Sequence, residues 1–437
     1  MRINVFASMV AFAVGAVAIA VSAEGSQEDR TETFRQLELF GDVLSRIESD
    51  YVTDTDQAEL IEAAIEGMLT SLDPHSVYHN PDSYEDLRVS TRGEYGGLGM
   101  EVTRREDFIT VVSPISETPA ERAGLRTNDR IIAVDGESII GVSVDEAVEM
   151  MRGAVGGPVT ITISRSDEDP FDVTLVRDTI PLRTVATRID EGVPYMRIAG
   201  FNERTTEMVH EGITELQEEY GAELPGLIID MRYNPGGLLD QAIGVTDVFL
   251  DGGEVVSTRT RDPRETQRYN ARPGDRLNGA PIVILINEGS ASAAEIVAGA
   301  LQDRERAELV GMTSFGKGSV QTIIPLRGGR DGALRLTTGR YYTPAGRSIQ
   351  ATGIIPDLQI SSWELEDSDP EHSAPQVSSE ADLPGALENE NGEHRADTDV
   401  AAVEQPPADW PEDEDYQLSR AREVLRSMME SQQAALQ

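Results

Sequence analysis

Two side chains of this sequence have the types and the spacing of a nucleophile and its base. Ser292 follows the apolar run Ile282 to Ile286 and a turn at Gly289, and it precedes a stretch of helical apolar spacing that begins at Ala293. A serine at the start of a helix lies beside free backbone N–H groups, which hold the oxyanion of an acyl-transfer intermediate. Lys317 lies 25 positions later, between two glycines. A lysine acts as a base when burial lowers its pKa.

The choice of base follows from the few alternatives in the sequence. The chain has five histidines, and none lies in a segment that resembles a Ser-His-Asp arrangement: His75, His79, His210, His372 and His394. Lys317 is therefore the better candidate, and Gln321, four residues later, can accept a hydrogen bond from its amine without adding charge. His75 and His79 are interpreted as isolated surface histidines. The alternative for the serine is that Gly-Ser-Ala-Ser is only a helix cap of small residues.

A second strand-turn-helix unit lies upstream of the first. The apolar run Gly226 to Met231 predicts a buried strand, which leads into Asn234-Pro235-Gly236-Gly237 and a further helix. Glycines allow a close approach of the backbone to another group. Together with a helix predicted from Thr205 to Tyr220, this repeated unit predicts an α/β core. A purely structural glycine turn is the alternative.

The composition limits the possible functions. At 437 residues the chain is long enough for two or three domains. It has no cysteine, which excludes disulfides and cysteine metal sites. Its 37 basic and 78 acidic residues give a net charge of -41, which argues against nucleic acid and anionic membrane surfaces as partners. No metal and no other cofactor is expected.

The first residues predict export. Residues 1–23 combine one basic residue, Arg2, with an apolar core from Val5 to Val21 and a small-residue end, so a signal peptide cleaved after Ala23 is expected. The alternative is a retained membrane anchor, because the apolar run approaches the length of a membrane span. In both cases the protein is expected in the periplasm, with an inner-membrane association in the second.

Three further segments surround the core. Within residues 24–92, apolar side chains at three- and four-residue steps predict helices from Thr31 to Asp50 and from Asp56 to Leu72. Residues 363–415 are rich in acids, Ser, Pro and Ala and poor in large apolar residues, so they are interpreted as a disordered acidic linker. An amphipathic helix is predicted at the C-terminal end, over residues 416–437.

A glycine-rich loop opens the segment 93–178. In Tyr95-Gly96-Gly97-Leu98-Gly99-Met100 the glycines place successive N–H groups in a tight loop before a strand, which suits the binding of a carboxylate. The strands, helix and turns predicted after this loop resemble those of a PDZ domain. The resemblance implies that a peptide adds as an extra strand, with its terminal carboxylate at Leu98, Gly99 and Met100. A simple strand bulge at the glycines is the alternative.

The segment around Ser292 and Lys317 resembles a known family, the carboxyl-terminal processing peptidases, also called tail-specific proteases. In that family the nucleophile lies in Ser-Ala-Ser-Ala, the lysine follows at this distance in Phe-Gly-Lys-Gly, and a glutamine comes four residues later, as Gln321 does here. This register implies Ser292, and not Ser290, as the nucleophile. It also implies a crotonase-like and ClpP-like α/β (α+β) protease core over 179–362, which uses part of the preceding segment and carries the PDZ domain as an insertion.

The resemblance implies roles for three residues outside the dyad. In the family an Asn-Pro-Gly-Gly turn supplies one N–H of the oxyanion hole, which we assign to Gly237 with Gly236 as the alternative. Ala293 is the second donor. Arg152 matches a position through which the family's PDZ domain communicates with the protease. A solvated arginine at a helix end is the alternative for Arg152.

The expected function is that of an exported serine endopeptidase with a Ser-Lys dyad, which binds the C-terminal tails of protein substrates through its PDZ domain. The expected partners are proteins or peptides with free C-termini, an adaptor or activator protein, and a second copy of the chain in a dimer. Two alternatives remain. One is a catalytically inactive PDZ adaptor that presents protein tails to another protease. The other is a crotonase-like acyl-thioester enzyme, against which the PDZ domain and the export signal argue.

Overall fold

A computed structural model of the chain describes residues 31–166, 168–361, 379–393, 403–411 and 414–435. The predicted signal segment lies outside these residues, and so do His372 and His394. The chain forms two units that divide after Ser71. Among the described residues, no helix is both long enough and apolar enough to cross a membrane.

The first unit contains two helices, which lie where the apolar periodicity predicts them. Helix α1 covers residues 31–50 and helix α2 covers Gln57–Thr70. Helix α2 begins after Asp56, whose carboxylate accepts a hydrogen bond from the N–H of Ala58 at 2.7 Å, because the first N–H groups of a helix need acceptors outside it. It ends shortly before Pro74, a residue that disfavours helical backbone in the position before it.

The second unit holds the remaining elements. Its helices are α3 (Pro81–Arg92), α4 (Pro119–Arg122), α5 (Val144–Met151), α6 (Thr205–Tyr220), α7 (Leu239–Phe249), α8 (Ala293–Asp303) and α9 (Tyr416–Ala435). Its strands are β1 (Val77–His79), β2 (Glu94–Gly97), β3 (Met100–Arg105), β4 (Phe108–Pro114), β5 (Arg130–Val134), β6 (Glu137–Ser138), β7 (Pro158–Ser164), β8 (Phe171–Val176), β9 (Asp178–Pro181), β10 (Val185–Asp190), β11 (Val193–Ile198), β12 (Leu227–Asp230), β13 (Gly253–Thr260), β14 (Gln267–Ala271), β15 (Ile282–Ile286), β16 (Glu308–Gly311), β17 (Ser319–Pro325), β18 (Ala333–Tyr342) and β19 (Leu358–Gln359).

The main sheet positions both strand-turn-helix units predicted from the sequence. Its order is β10-β11-β12-β15-β16-β19, in which β10 is antiparallel to β11 and the other neighbours are parallel. Helices α6, α7 and α8 cover one face, and α9 packs on the other. Every residue of β15 is therefore buried, which explains its unbroken Ile-Val-Ile-Leu-Ile sequence.

A second sheet lies on the other side of α7 and α8. It has the order β1-β18-β13-β14, and β17 pairs with β18. Side chains of β13, β14 and β18 join the same apolar core as α7 and α8, so these two helices are packed between sheets. Strand β1 pairs with β18, with Val77 opposite Arg335. Residues that precede the PDZ-like segment are therefore part of the second sheet.

The PDZ-like segment is an inserted domain with its own core. Its sheet has the order β3-β4-β5-β7-β8, with β6 paired to β5, and α4 and α5 pack against it. The chain enters through β2 and leaves through β9, and these two strands pair antiparallel from Glu94 and Pro181 to Gly97 and Asp178. The insertion therefore returns the chain to the point at which it left the main body, and the predicted fold class is confirmed.

The interpretation of residues 363–415 as a disordered linker is wrong for the part that the structure describes. In residues 379–393 the side chains of Glu380 and Asn389 are buried. Further along, Glu404 forms a parallel bridge at the edge of the main sheet. A few buried polar anchors offset the entropy of ordering this segment, and such anchors cannot be read from an acidic composition.

Candidate active site

Ser292 lies at the corner between β15 and α8. It is the residue before the first turn of α8, and its φ of 54° is in the left-handed region that a serine rarely adopts. Strained backbone of this kind costs on the order of 1–3 kcal/mol and clusters at functional sites. The strand-to-helix corner thus presents the hydroxyl of Ser292 at the end of the main sheet.

Ser290, the alternative nucleophile, has a structural role in the same turn. Its side chain is fully buried, its hydroxyl donates to the carbonyl of Met231 at 2.8 Å, and its oxygen accepts from the N–H of Asn287 at 3.0 Å. Ser292 retains 8% exposure. The buried hydrogen bonds of Ser290 hold the turn, and Ser292 has the more accessible hydroxyl.

Glu295 joins the corner at Ser292 to residues 315–318, which carry Lys317 and which we call the lysine loop. Its Oε2 accepts hydrogen bonds from the N–H of Ser292 at 2.7 Å and of Lys317 at 2.9 Å. Its Oε1 accepts from the hydroxyl of Ser314 at 2.6 Å and from the N–H of Gly316 at 2.6 Å. Because one carboxylate oxygen binds the backbone of both residues, Ser292 and Lys317 are held next to each other.

Sequence reasoning missed this role of Glu295, although a signal was present. Glu295 stands three residues after Ser292, which is the Ser-x-x-Glu spacing of a capping box at a helix start. The side chain is fully buried, and burial raises its pKa to about 7. The four donors act in the opposite direction, because they stabilise the carboxylate.

Lys317 is the only lysine among the 437 residues. Its side chain is half-buried. Burial lowers the pKa of Lys317, and the nearby guanidinium of Arg335 lowers it further, whereas Glu380, Glu295 and Asp73 raise it. The net shift is downwards, which is the direction that a lysine base requires.

In the described part of the chain no hydrogen bond joins Ser292 Oγ to Lys317 Nζ. The phenol of Tyr341, a residue that the sequence did not identify, lies beside the side chain of Ser292. Burial holds the pKa of Tyr341 well above its usual value, so its phenol stays protonated. Hydrogen bonds between a nucleophile and its base commonly tighten only when substrate binds.

Gln321 lies on β17 beside the lysine loop. The pairing of β17 with β18 is irregular between Val320 and Gln321, a feature that redirects side chains and is frequent next to active sites. The side-chain amide of Gln321 donates to Ser319 Oγ at 2.9 Å and to Thr337 Oγ1 at 3.3 Å. Its Oε1 accepts no hydrogen bond within the described residues. This oxygen is available to the amine of Lys317, and that interaction stays a prediction.

The glycine turn after β12 lies against Ser292. A Cβ atom on Gly236 would come within 2.8 Å of Ser292 Cβ. The N–H of Gly236 already donates to Asn234 Oδ1 at 2.8 Å. The N–H groups of Gly237 and Ala293, in contrast, have no acceptor among the residues that the structure describes. The geometry therefore favours Gly237 over Gly236 as an oxyanion donor, with Ala293 as its partner.

The C-terminal helix supports the same turn. Arg232 lies between β12 and the glycines, and its guanidinium pairs with Asp230 at 2.6 Å and with Asp415 at 2.6 Å. Asp415 directly precedes α9, so this ion-pair network connects α9 to the glycine turn after β12. Planar two-sided pairing of this kind is characteristic of arginine.

The predicted peptide site of the inserted domain forms one groove. Its lining includes Leu98, Gly99, Met100 and Arg152, together with apolar side chains of β3 and α5. Gly99 has a φ of 75°. Within the described residues, the N–H groups of Leu98 and Gly99 have no acceptor. A groove with free N–H groups at one end and apolar walls suits an extended peptide that ends in a carboxylate.

Arg152 lies at this groove, but its contacts stay within the inserted domain. Its guanidinium pairs with Glu149 at 2.8 Å and stacks over the ring of Tyr95 at 4.8 Å. These contacts place the arginine where a bound peptide would touch it. Communication with the protease core through Arg152 stays a prediction.

The interpretation of two histidines as isolated surface residues is wrong. His75 Nε2 lies 2.7 Å from the buried carboxylate of Glu380. His79 is half-buried, and its Nε2 is enclosed without a hydrogen-bond partner in the described part of the chain. Burial, and then the charge of Arg335, lower the pKa of His79. His75 precedes β1 and His79 is its last residue, and the place of this strand in the second sheet was not visible in the sequence.

Family models match most of the described chain. The model of Peptidase family S41 matches residues 192–360, and the PDZ domain model matches residues 86–164. A third model, described as the activating protease CtpB N-terminal domain, matches residues 5–83. The three matches follow the order predicted from the sequence, with the PDZ domain before the protease core.

Individual relatives match from two thirds to nine tenths of the chain. A carboxy-terminal-processing protease of Bartonella bacilliformis is 47% identical over 398 residues, which cover 90% of this chain and 89% of the relative. A carboxyl-terminal-processing protease of Synechocystis is 38% identical and covers 67% of this chain and 69% of its own. Among solved structures, the photosystem II D1 C-terminal processing protease aligns with a TM-score of 0.42 and 29% identity over 74% of this chain and 92% of that chain.

Proposed function

The chain belongs to the carboxy-terminal processing proteases of peptidase family S41, and we propose that it is an exported endopeptidase with Ser292 as nucleophile and Lys317 as base. Family membership makes it a serine protease with a PDZ domain that hydrolyses peptide bonds. The inactive adaptor and the acyl-thioester enzyme are therefore disfavoured. The proposal adds the identity of the dyad, the export of the protein and the capture of protein tails.

The observation that carries the dyad is the shared acceptor Glu295 Oε2, which binds the backbone of both Ser292 and Lys317. In the proposed mechanism Ser292 Oγ attacks the peptide carbonyl while neutral Lys317 accepts its proton. The N–H groups of Gly237 and Ala293 stabilise the oxyanion. The ammonium of Lys317 then protonates the leaving amine, and water hydrolyses the acyl-enzyme by the same route.

A lysine base predicts a specific dependence on pH. Because the neutral amine is the reactive form and the pKa of Lys317 lies below the usual lysine value, kcat/KM is expected to rise with pH through that lowered pKa. Lys317→Arg is expected to lose at least about 1,000-fold in kcat at every pH, because a guanidinium does not deprotonate. Steady-state cleavage of a peptide with an apolar C-terminus, followed from pH 5 to pH 10, measures both effects.

The unique lysine provides an independent measurement of the same group. Amine acylation followed by mass spectrometry reports the protonation of one ε-amine only, since no other lysine is present. The pKa from this titration should coincide with the rising limb of kcat/KM. A rising limb that persists in Lys317→Arg would contradict the assignment of the base.

Tail capture is proposed for the PDZ groove, and Gly99 offers a test. A Cβ at Gly99 would lie 2.2 Å from Thr118 Cβ, and the φ of Gly99 is 75°. Gly99→Ala should therefore displace the glycine-rich loop that is expected to bind the peptide carboxylate. Binding of a C-terminal peptide should weaken by about tenfold or more. Isothermal titration of Ser292→Ala protein, with and without this second change, measures the effect.

Gly136→Ala is the matched control for this experiment. Gly136 also lies in the PDZ domain and has a φ of 83°, but open space surrounds its missing Cβ. The two variants share the backbone strain and differ in the clash. Equal affinity losses in both would show that strain, and not the loop at Gly99, controls peptide binding.

Export is proposed on the pattern of residues 1–23. N-terminal sequencing of the protein from a periplasmic fraction tests it, with a start after Ala23 as the expected result. A full-length protein in the membrane fraction would instead support the retained anchor. The dimer and the adaptor or activator protein stay predictions.

A further inference from the structure

The acidic chain after the main core returns to the loop that carries Lys317. We call residues 379–391 the returning segment. It begins with a short 3-10 helix, Glu380–Asp382, and both Glu380 and Asn389 are buried. A fully buried carboxylate is costly unless it is paired and hydrogen-bonded. A buried Glu380 within a segment rich in polar and acidic residues points to a specific role for this carboxylate.

The returning segment holds both ends of the lysine loop. At one end, the carbonyl of Phe315 accepts a hydrogen bond from the N–H of Glu380 at 2.9 Å. At the other end, the N–H of Gly318 donates to Gln350 Oε1 at 3.1 Å, and Gln350 Nε2 donates to the carboxylate of Glu380 at 3.1 Å. Phe315 is thereby held by the backbone of Glu380, and Gly318 is connected through Gln350 to the Glu380 side chain.

Gln350 is itself fixed by the returning segment. The side-chain amide of Gln350 also donates to the carbonyl of Leu387 at 3.0 Å. The backbone carbonyl of Gln350 accepts from Asn389 Nδ2 at 2.9 Å. Gln350 packs directly on the lysine loop, since a Cβ on Gly318 would lie 2.3 Å from the Gln350 nitrogen. Displacement of the returning segment would remove these partners at once.

The carboxylate of Glu380 has an imidazole partner from a distant part of the chain. His75 Nε2 lies 2.7 Å from one of its oxygens and 3.0 Å from the other. His75 precedes β1, so the returning segment also connects the second sheet to the lysine loop. The composition of residues 363–415 contains no sign of this link.

We propose that Glu380 is a positioning residue for Lys317, and that the returning segment completes the active site by fixing the lysine loop at Phe315 and Gly318. Glu295 holds the two N–H groups in the middle of that loop, and the returning segment holds the positions on either side. The proposal rests on the proposed function, because it assigns Glu380 a purpose through the base Lys317.

The charge of Glu380 also acts on the amine. The charged groups that face Lys317 come from four parts of the chain: Arg335 on β18, Glu295 on α8, Asp73 before β1, and Glu380 itself. Glu380 is the first of the carboxylates in its effect, and it raises the pKa of Lys317. Loss of its charge should therefore lower that pKa, whereas a purely structural role would leave it unchanged.

The test compares Glu380→Gln with Glu393→Gln in the full-length protein. Glu393 is exposed and lies two residues beyond the returning segment, so its variant carries the same charge change without these contacts. We expect Glu380→Gln to lower kcat by about tenfold to a hundredfold with KM within about twofold, because a displaced base loses orientation and not substrate binding. Amine acylation of the single lysine should titrate at lower pH in this variant, and Glu393→Gln should match the unmodified enzyme.

Two results would overturn the proposal. One is a folded Glu380→Gln protein with unchanged kcat and an unchanged titration of Lys317. The other is a loss of kcat that disappears when the rate is divided by the fraction of folded protein, with no shift in that titration. If Glu380→Gln does not fold, Asn389→Ala leaves Glu380 in place and removes the bond to the Gln350 backbone carbonyl, together with the acceptor of the Asn391 N–H. A folded Asn389→Ala enzyme with full kcat would then reject the proposal, and a loss of about threefold to tenfold would support it.

Failure of this proposal is distinguishable from failure of the dyad. If the unmodified enzyme cleaves no peptide and Ser292 reacts with no serine-directed phosphonate, the proposed function fails regardless of Glu380. If the phosphonate labels Ser292 in the unmodified enzyme, and labels it equally fast in Glu380→Gln, the dyad stands and the positioning role is wrong.

Discussion

Ser292→Ala is expected to reduce kcat for peptide cleavage by about 10,000-fold or more, because the other hydroxyl at the corner of β15 and α8, that of Ser290, is buried and engaged in hydrogen bonds. The variant should fold normally, since the hydroxyl of Ser292 contributes little to the buried hydrogen bonds of the turn. Peptide cleavage with purified protein measures the loss. A fluorophosphonate should add its mass to the peptide that contains Ser292, and that addition should be absent in the variant.

Ser290→Ala is the matched control, because it removes a hydroxyl two residues away in the same turn. Its expected defect is in stability: the carbonyl of Met231 and the N–H of Asn287 lose their partner, which costs about 1–3 kcal/mol of the free energy of unfolding. Its kcat, corrected for folded protein, should stay within about tenfold of the unmodified enzyme. Full activity in Ser292→Ala, or phosphonate labelling at Ser290, would show that the nucleophile is misassigned.

Glu295→Gln is expected to lower both stability and activity. Each carboxylate oxygen of Glu295 accepts two hydrogen bonds. The side-chain amide of the glutamine variant must therefore place its NH2 group against two donors. We expect a loss of roughly 3 kcal/mol in the free energy of unfolding, as for a buried group deprived of its acceptor. We also expect kcat to fall by about a hundredfold, because the backbones of Ser292 and Lys317 no longer share an anchor. Denaturant unfolding and peptide cleavage measure the two losses.

An exposed acid on α6 provides the comparison. Glu219→Gln makes the same chemical change at the protein surface and should alter the free energy of unfolding by no more than about 0.5 kcal/mol. Phosphonate labelling of Ser292 separates positioning from simple unfolding. If folded Glu295→Gln protein is labelled as fast as the unmodified enzyme, Glu295 supports the fold without orienting the dyad.

The sequence was sufficient for the elements whose signals are local. The apolar run of β15, the helical periodicity of α6 and the glycine loop of the PDZ domain depend on neighbouring residues only, and all three lie where they were predicted. The register of Ser292, Lys317 and Gln321 identified the family, which the relatives confirm. The spacing could not show whether the side chains meet.

The folded structure was needed for the choices that depend on individual hydrogen bonds. Gly236 and Gly237 are equivalent in the sequence, and they differ because the side chain of Asn234, two residues before Gly236, occupies the N–H of only one. Ser290 and Ser292 differ in the same way, because only Ser290 donates to the carbonyl of Met231, the residue that follows the neighbouring strand β12.

The largest difference concerns the acidic chain after residue 362. Its composition predicts that burial of apolar surface cannot offset the entropy of ordering, and the described residues 379–393 and 403–411 do not follow that prediction. The returning segment is ordered instead by polar contacts of Glu380 and Asn389 with His75 and Gln350. Such contacts depend on partners up to 305 positions away, so only the folded chain reveals them. The sequence by itself determined the family and the residues that we propose for the chemistry, and the tertiary structure decided which buried acids contact them.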